Sequence, residues 1–275
     1  MRNTFFGIAT ATACMAALGA VVAPARSADD VPQQIDLSKF PAAAVQDVVV
    51  PVPSEIFNVL DKLGQPNWKG ELRDSLGKNT GNRAQVALLL GTVIAEGFIA
   101  VEAEDSERVK QIGREVLELS TAIGVQKAVV ARSKAIIEKA DARDWNGTRK
   151  ELDGALQDVS GAMDEMRDQD LAQLVSLGGW VRGTEVLTSI VQKDYKPARA
   201  ELLHQPELLN YFDRRLDEMG PRLRKSELVT QLKSMLAEIR PLILEKEGRK
   251  IPPKNVDRIH AVTNEMVVTI TSSDA

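Results

Sequence analysis

The stretch QVALLLGTVIAEGFIAVEAED, residues Gln85 to Asp105, decides how the chain must fold. From Val86 to Val101 every residue is apolar or small except Thr92 and Glu96. The run is short for a bilayer, which takes about 20 apolar residues, and it contains an acid. It therefore reads as a helix of a protein core, predicted from about Arg83 to Glu102. On that helix Gln85, Thr92 and Glu96 form a narrow polar line. Gly91 and Gly97 beside it leave room for a second helix to approach closely. A buried carboxylate without a partner is costly, so Glu96 must meet a cation or take up a proton.

The cation is expected in the second strongly apolar segment, LVSLGGWVRGTEV, residues 174–186. Arg182 is the only cation between Asp170 and Lys193, as Glu96 is the only acid between Gly81 and Glu102. The planar guanidinium can hold a carboxylate through paired hydrogen bonds, which a lysine cannot. Two roles compete for the pair. In one it pins two core helices together. In the other it lines a pocket with Thr92, Trp180 and Arg132 that binds a small polar ligand such as a carboxylate. The pinning role is the expected one.

The rest of the chain reads as helix with little interruption. Aromatics are only 4% of the 275 residues, and unbranched side chains and alanine dominate. Those residues lose little or no rotamer freedom in a helix. Val109, Ile112, Val116, Leu119 and Ile123 recur at helical spacing. Thr148 and Glu151 have the spacing of a capping box. Pro197, Pro206 and Pro221 stand near helix starts, and Pro241 is expected to kink or end its helix. Residues 26–52 carry several prolines and no sustained period. They read as an extended leader, with VQDVVVPV lying over the body or forming a short edge strand. The expected organisation is a helical domain over 53–250, opening with a helix over 53–64, then a C-terminal helix and polar tail over 251–275.

An internal echo supports pairing of neighbouring helices. ARSKAIIEKADARDWNGTRKEL and VRGTEVLTSIVQKDYKPARAEL align at an offset of 50 residues, Arg132 on Arg182 and Asp144-Trp145 on Asp194-Tyr195. Each unit would be a helix, a turn with an aromatic in its corner, and a second helix. With Ala155-Leu156 following Asp144-Trp145, the turn and second helix resemble a tetratricopeptide repeat, although the first-helix signature is missing and the period is too long. The resemblance implies helical hairpins and carries no function. The fold class expected is all-α, with antiparallel helical hairpins packed as a bundle or a short TPR-like array behind an extended N-terminal leader.

The first 25 residues read as a secretory signal: Arg2, an uncharged apolar stretch, then small residues at Ala23 and Ala25. Cleavage after Ala25 or after Ser27 fits. The competing reading, a membrane anchor, is weakened by the Ala, Thr and Gly content of the stretch. Cys14, the only cysteine, lacks the leucine three residues earlier that lipid attachment favours. With the signal removed, no cysteine remains for a disulfide, a thiolate nucleophile or a metal. The expected location is the periplasm or the exterior, with no membrane contact after signal removal.

Chemistry-bearing motifs are sparse. Net charge is −4 with the signs interspersed, which gives nucleic acid no basic footprint to bind. Glu201 and His204 supply one half of a di-iron motif whose other half is missing. Glu102, Glu104, Asp105 and Glu107 lack the spacing of a calcium loop and read instead as favourable charge at a helix start. No nucleophile elbow, phosphate loop or dinucleotide fingerprint occurs. No cofactor and no metal is expected. The function expected is an exported helical scaffold or binding protein mediating protein interactions in the periplasm. The alternative is a small-ligand binder or sensor with its pocket at Glu96 and Arg182, and an enzyme ranks third.

Overall fold

A computed structural model describes residues 65–74, 81–244 and 250–272 in full, together with the backbone of residues 44, 45, 48 and 49. The expected signal, the helix over 53–64 and most of the leader lie outside the described residues. The fold is all-helical apart from a two-residue antiparallel pairing, Ala44–Val45 (β1) with Val48–Val49 (β2).

The expected core helix is α1, Arg83–Glu102. It begins where Asn82 Oδ1 accepts the amides of Ala84 and Gln85, a side-chain cap. Every residue from Ala84 to Val101 is buried, so the helix has no polar face. It is long and apolar enough to cross a membrane, but here other helices cover it on all sides. Next come α2 (Ser106–Ala122), α3 (Gln126–Asp141), α4 (Trp145–Glu165) and α5 (Gln169–Lys193). After two single turns at Pro197–Ala200 and Glu201–Leu203, α6 spans Pro206–Glu218. A further turn, Pro221–Arg224, leads to α7, Glu227–Ile243, and α8, Pro253–Thr271, closes the order.

The four connections from α1 to α5 are built alike. Glu104, Gly124, Arg143 and Arg167 each have positive φ, between 52° and 87°. In each case the next residue donates its amide back to a carbonyl near the helix end: Asp105 to Ala100, Val125 to Ser120, Asp144 to Lys139, and Asp168 to Met163. This is the left-handed cap that stops a helix and reverses the chain within three residues. Glycine fills only one of the four positions, which is why the sequence pattern did not show the repeat.

The capping box expected at Thr148 and Glu151 does not form. The helix starts earlier, at Trp145, capped by Asp144 Oδ1 on the Gly147 amide at 2.9 Å. Thr148 instead donates to the Asp144 carbonyl at 2.8 Å, and Glu151 faces Arg132. The 50-residue echo also ends early. Asp144 opens a 21-residue helix, whereas Asp194 is followed by the turn Pro197–Ala200 and no matching long helix. Pro197 presets one helical turn, and Tyr195 turns aside to donate its hydroxyl to the Ile251 carbonyl at 2.9 Å. Pro241 lies in the last turn of α7, where the helix ends at Ile243.

The core is centred on α1 and α5, with α2 and α4 against α1 and α8 against α5. Backbones touch at their crossing. A Cβ added to Gly91 would lie 2.8 Å from the Val175 carbonyl carbon and the Gly179 nitrogen. One added to Gly178 would lie 2.8 Å from the Leu88 carbonyl carbon. Thr92 Oγ1 bridges the gap, donating to Leu88 O at 3.0 Å and lying 3.3 Å from Gly178 O. Along the pair, Arg83 meets Asp168, Thr92 meets Gly178, and Glu96 meets Arg182. Both sequence numbers rise together, so α1 and α5 run in the same direction.

Candidate functional site

Glu96 and Arg182 are in contact, 0% and 1% exposed. The Arg182 Nε and Nη2 atoms lie 2.8 and 2.7 Å from Glu96 Oε2. Glycine contact one turn earlier brings the helix axes close enough for two side chains of this length to meet head-on. The pair is the centre of a larger cluster. Arg182 Nη1 donates to Glu185 Oε2, one turn along α5. Glu96 Oε1 accepts the backbone amide of Arg73 at 2.7 Å and faces Arg108 Nη2 at 3.9 Å. Arg108 in turn meets Glu115 at 3.4 Å, within α2.

The cluster is closed by residues that precede α1. Glu71 O accepts from Arg182 Nη2 at 2.5 Å. The Glu71 carboxylate takes Lys193 Nζ at 2.5 Å, at the end of α5. Arg73 reaches Glu185 at 3.4 Å and Asn264 on α8 at 2.7 Å. The 3-10 turn Trp68–Glu71 presents these groups, capped by Asn67 on the Gly70 amide. Charges balance: Arg73, Arg108, Arg182 and Lys193 stand against Glu71, Glu96, Glu115 and Glu185. Both Glu96 carboxylate oxygens and all three Arg182 nitrogens have protein partners. The desolvation of this central pair is therefore offset within the protein.

The other sequence candidates lie elsewhere. Trp180 is on the opposite side of α5, its indole donating to Gln205 Oε1 at 3.1 Å and its ring 5.4 Å from that of Phe212. Arg132, on α3, pairs with Asp158 at 2.8 Å and Glu151 at 2.9 Å on α4. The hydrogen bonds it donates to Asp158 first, then to Glu151, raise its pKa above the ordinary arginine value. Thr92 serves the helix crossing, and Gln85 reaches the Ile270 and Ser272 carbonyls at the end of α8. The polar line on α1 thus splits into separate jobs, and only Glu96 and Arg182 of the candidate set meet.

Arg73, Glu71, Arg108 and Glu185 were missed. Glu185 carried a signal, since it lies one turn from Arg182 and so shares its face. Arg108 sits beside Val109 at the edge of the apolar stripe, which marks it only weakly. Nothing in the Trp68–Arg73 sequence points to a partner far along the chain. His204 Nδ1 lies 2.9 Å from the Ile243 carbonyl oxygen. Among the described residues no group of three or more His, Cys, Asp or Glu is placed to share a metal ion. A surface cleft of about 460 Å³ opens beside Asn82, Arg83, Leu171 and Arg222. At 1.5 Å per helical residue it lies roughly 20 Å from Glu96. No family model matches the chain, and no curated protein or solved structure is significantly similar to it.

Proposed function

We propose that the protein is an exported helical scaffold that binds protein partners in the periplasm. The observation that carries this reading is the run of four connections of one kind, each turning the chain through a left-handed cap. Connections of this kind suit antiparallel helical hairpins, the unit from which helical-repeat binding modules are built. Support comes from α2 and α3, where Ser106 contacts Ala140 and Gly113 contacts Ser133, so one sequence number rises as the other falls. A ligand sensor at Glu96 and Arg182 would need donors and acceptors free for a guest, and those of the pair are occupied by the chain itself.

Cross-linking mass spectrometry on the exported protein in its native fraction tests the proposal. The expected result is a mature N-terminus at Arg26 or Ala28 and intermolecular cross-links through exposed lysines such as Lys127 and Lys134 on α3. A protein that shows no intermolecular cross-link and retains a small molecule in native mass spectrometry would overturn it.

A further inference from the structure

The residues that close the Glu96–Arg182 cluster are held as a peptide is held by a recognition site. Glu96 takes the backbone amide of Arg73, and Arg182 takes the backbone carbonyl of Glu71, two residues apart where the chain leaves the 3-10 turn. Leu72 between them has φ −67° and ψ 141°, an extended conformation. A carboxylate and a guanidinium thus read main-chain groups, which any peptide offers. Side-chain contacts are added around them. Lys193 pairs with the Glu71 carboxylate, and Glu185 and Asn264 take the Arg73 guanidinium. Trp68 is 7% exposed and belongs to the hydrophobic core, so it is an aromatic anchor three residues before the acid. The receiving groups come from α1, α5 and α8.

We infer that the face formed by Glu96, Arg182, Glu185, Lys193 and Asn264 is a peptide-recognition slot for a segment of pattern Trp-x-x-Glu-x-Arg, filled in cis by residues 68–73. The pattern combines an anchor, two charge-matched side chains and a main-chain clamp, which is how short linear segments achieve specificity on a folded surface. The inference goes beyond the scaffold reading and stands without it, because the slot and its occupant belong to one chain.

An intramolecular occupant acts at an effective concentration in the millimolar range, so a free peptide cannot compete with the intact segment. The test therefore weakens the segment within the full-length protein. Trp68→Ala removes the anchor, and Glu71→Ala, a milder second variant, removes the Lys193 ion pair. A fluorescent peptide of residues 65–74 is titrated against each by anisotropy, with circular dichroism confirming the helical fold. The expected result is saturable binding to at least one folded variant, at least tenfold tighter than to the wild type and than a scrambled peptide shows. Adding Lys193→Glu to that variant should weaken binding at least fivefold, and a peptide carrying Glu71→Lys should recover it. Equal binding of native and scrambled peptides, or no binding to either folded variant, would overturn the inference. So would indifference to the Lys193 exchange. None of these outcomes bears on cross-linking to periplasmic partners.

Discussion

Removing the Glu96 carboxylate asks how much the central pair matters. The group is fully buried and has partners on three sides: Arg182 on α5, Arg108 on α2 and the Arg73 amide. Glu96→Ala leaves Arg182 with Glu185 and a single carbonyl, and leaves the Arg73 amide without its acceptor. Breaking one side of a buried ion pair costs about 3–5 kcal/mol, because the remaining charge stays desolvated. Arg182→Met should cost a similar amount, since it strips the shared partner from Glu96 and Glu185 alike. The double variant is expected to cost about 2–3 kcal/mol less than the sum, the upper range for contacting residues. The coupling stops short of full compensation because Glu185 and the Glu71 carbonyl still lose Arg182. A domain has about 5–15 kcal/mol in all, so Glu96→Gln provides a milder arm that keeps an acceptor for the Arg73 amide. Urea unfolding followed by far-ultraviolet circular dichroism gives each free energy. Additivity within about 0.5 kcal/mol would show that the two charges do not stabilise one another, and the pairing argument would fail.

Two further outcomes are expected. Gly91→Ala should destabilise by about 3 kcal/mol or more, because its Cβ meets backbone, which cannot rotate away, whereas Gly161→Ala on α4 meets nothing within 4 Å and should stabilise by about 0.5–1 kcal/mol. Thermal unfolding of the two variants checks this, and equal shifts would contradict the close crossing. Asp144 has a pKa below its ordinary 3.8, first through the Gly147 amide and then through Lys139. Its ionised form is favoured in the folded state, so its contribution is complete above pH 3.8 and fades as the pH falls through the lower folded value. The stability difference between wild type and Asp144→Ala, measured by urea unfolding from neutral pH downward, should therefore narrow below pH 3.8. A difference unchanged through that range would show that the cap does not depend on the charge.

Much was determined by the sequence alone. The apolar run at 86–101, with an acid inside it, reads as a core helix from sequence, and its extent is close to that of α1. The acid and the arginine in two apolar segments are expected to meet, since a bare charge in a core is costly, and they do. Gly91 marked the close approach for the same local reason: only glycine allows backbone contact. Tertiary structure decided the rest. Whether α1 and α5 run the same way depends on how many helices return between them, and three of the four connecting caps use residues other than glycine, so no local signal marks them. The Thr148 capping box failed because Asp144 offered the earlier cap and Arg132 claimed Glu151. Arg132 and Trp180 left the central pair because α3 pairs with α4 and because Trp180 lies on the far side of α5. The groups that close the cluster from Trp68–Arg73 reach Glu96 and Arg182 through main-chain atoms, and their side chains pair with Lys193, Glu185 and Asn264, partners more than a hundred residues away that no local pattern indicates.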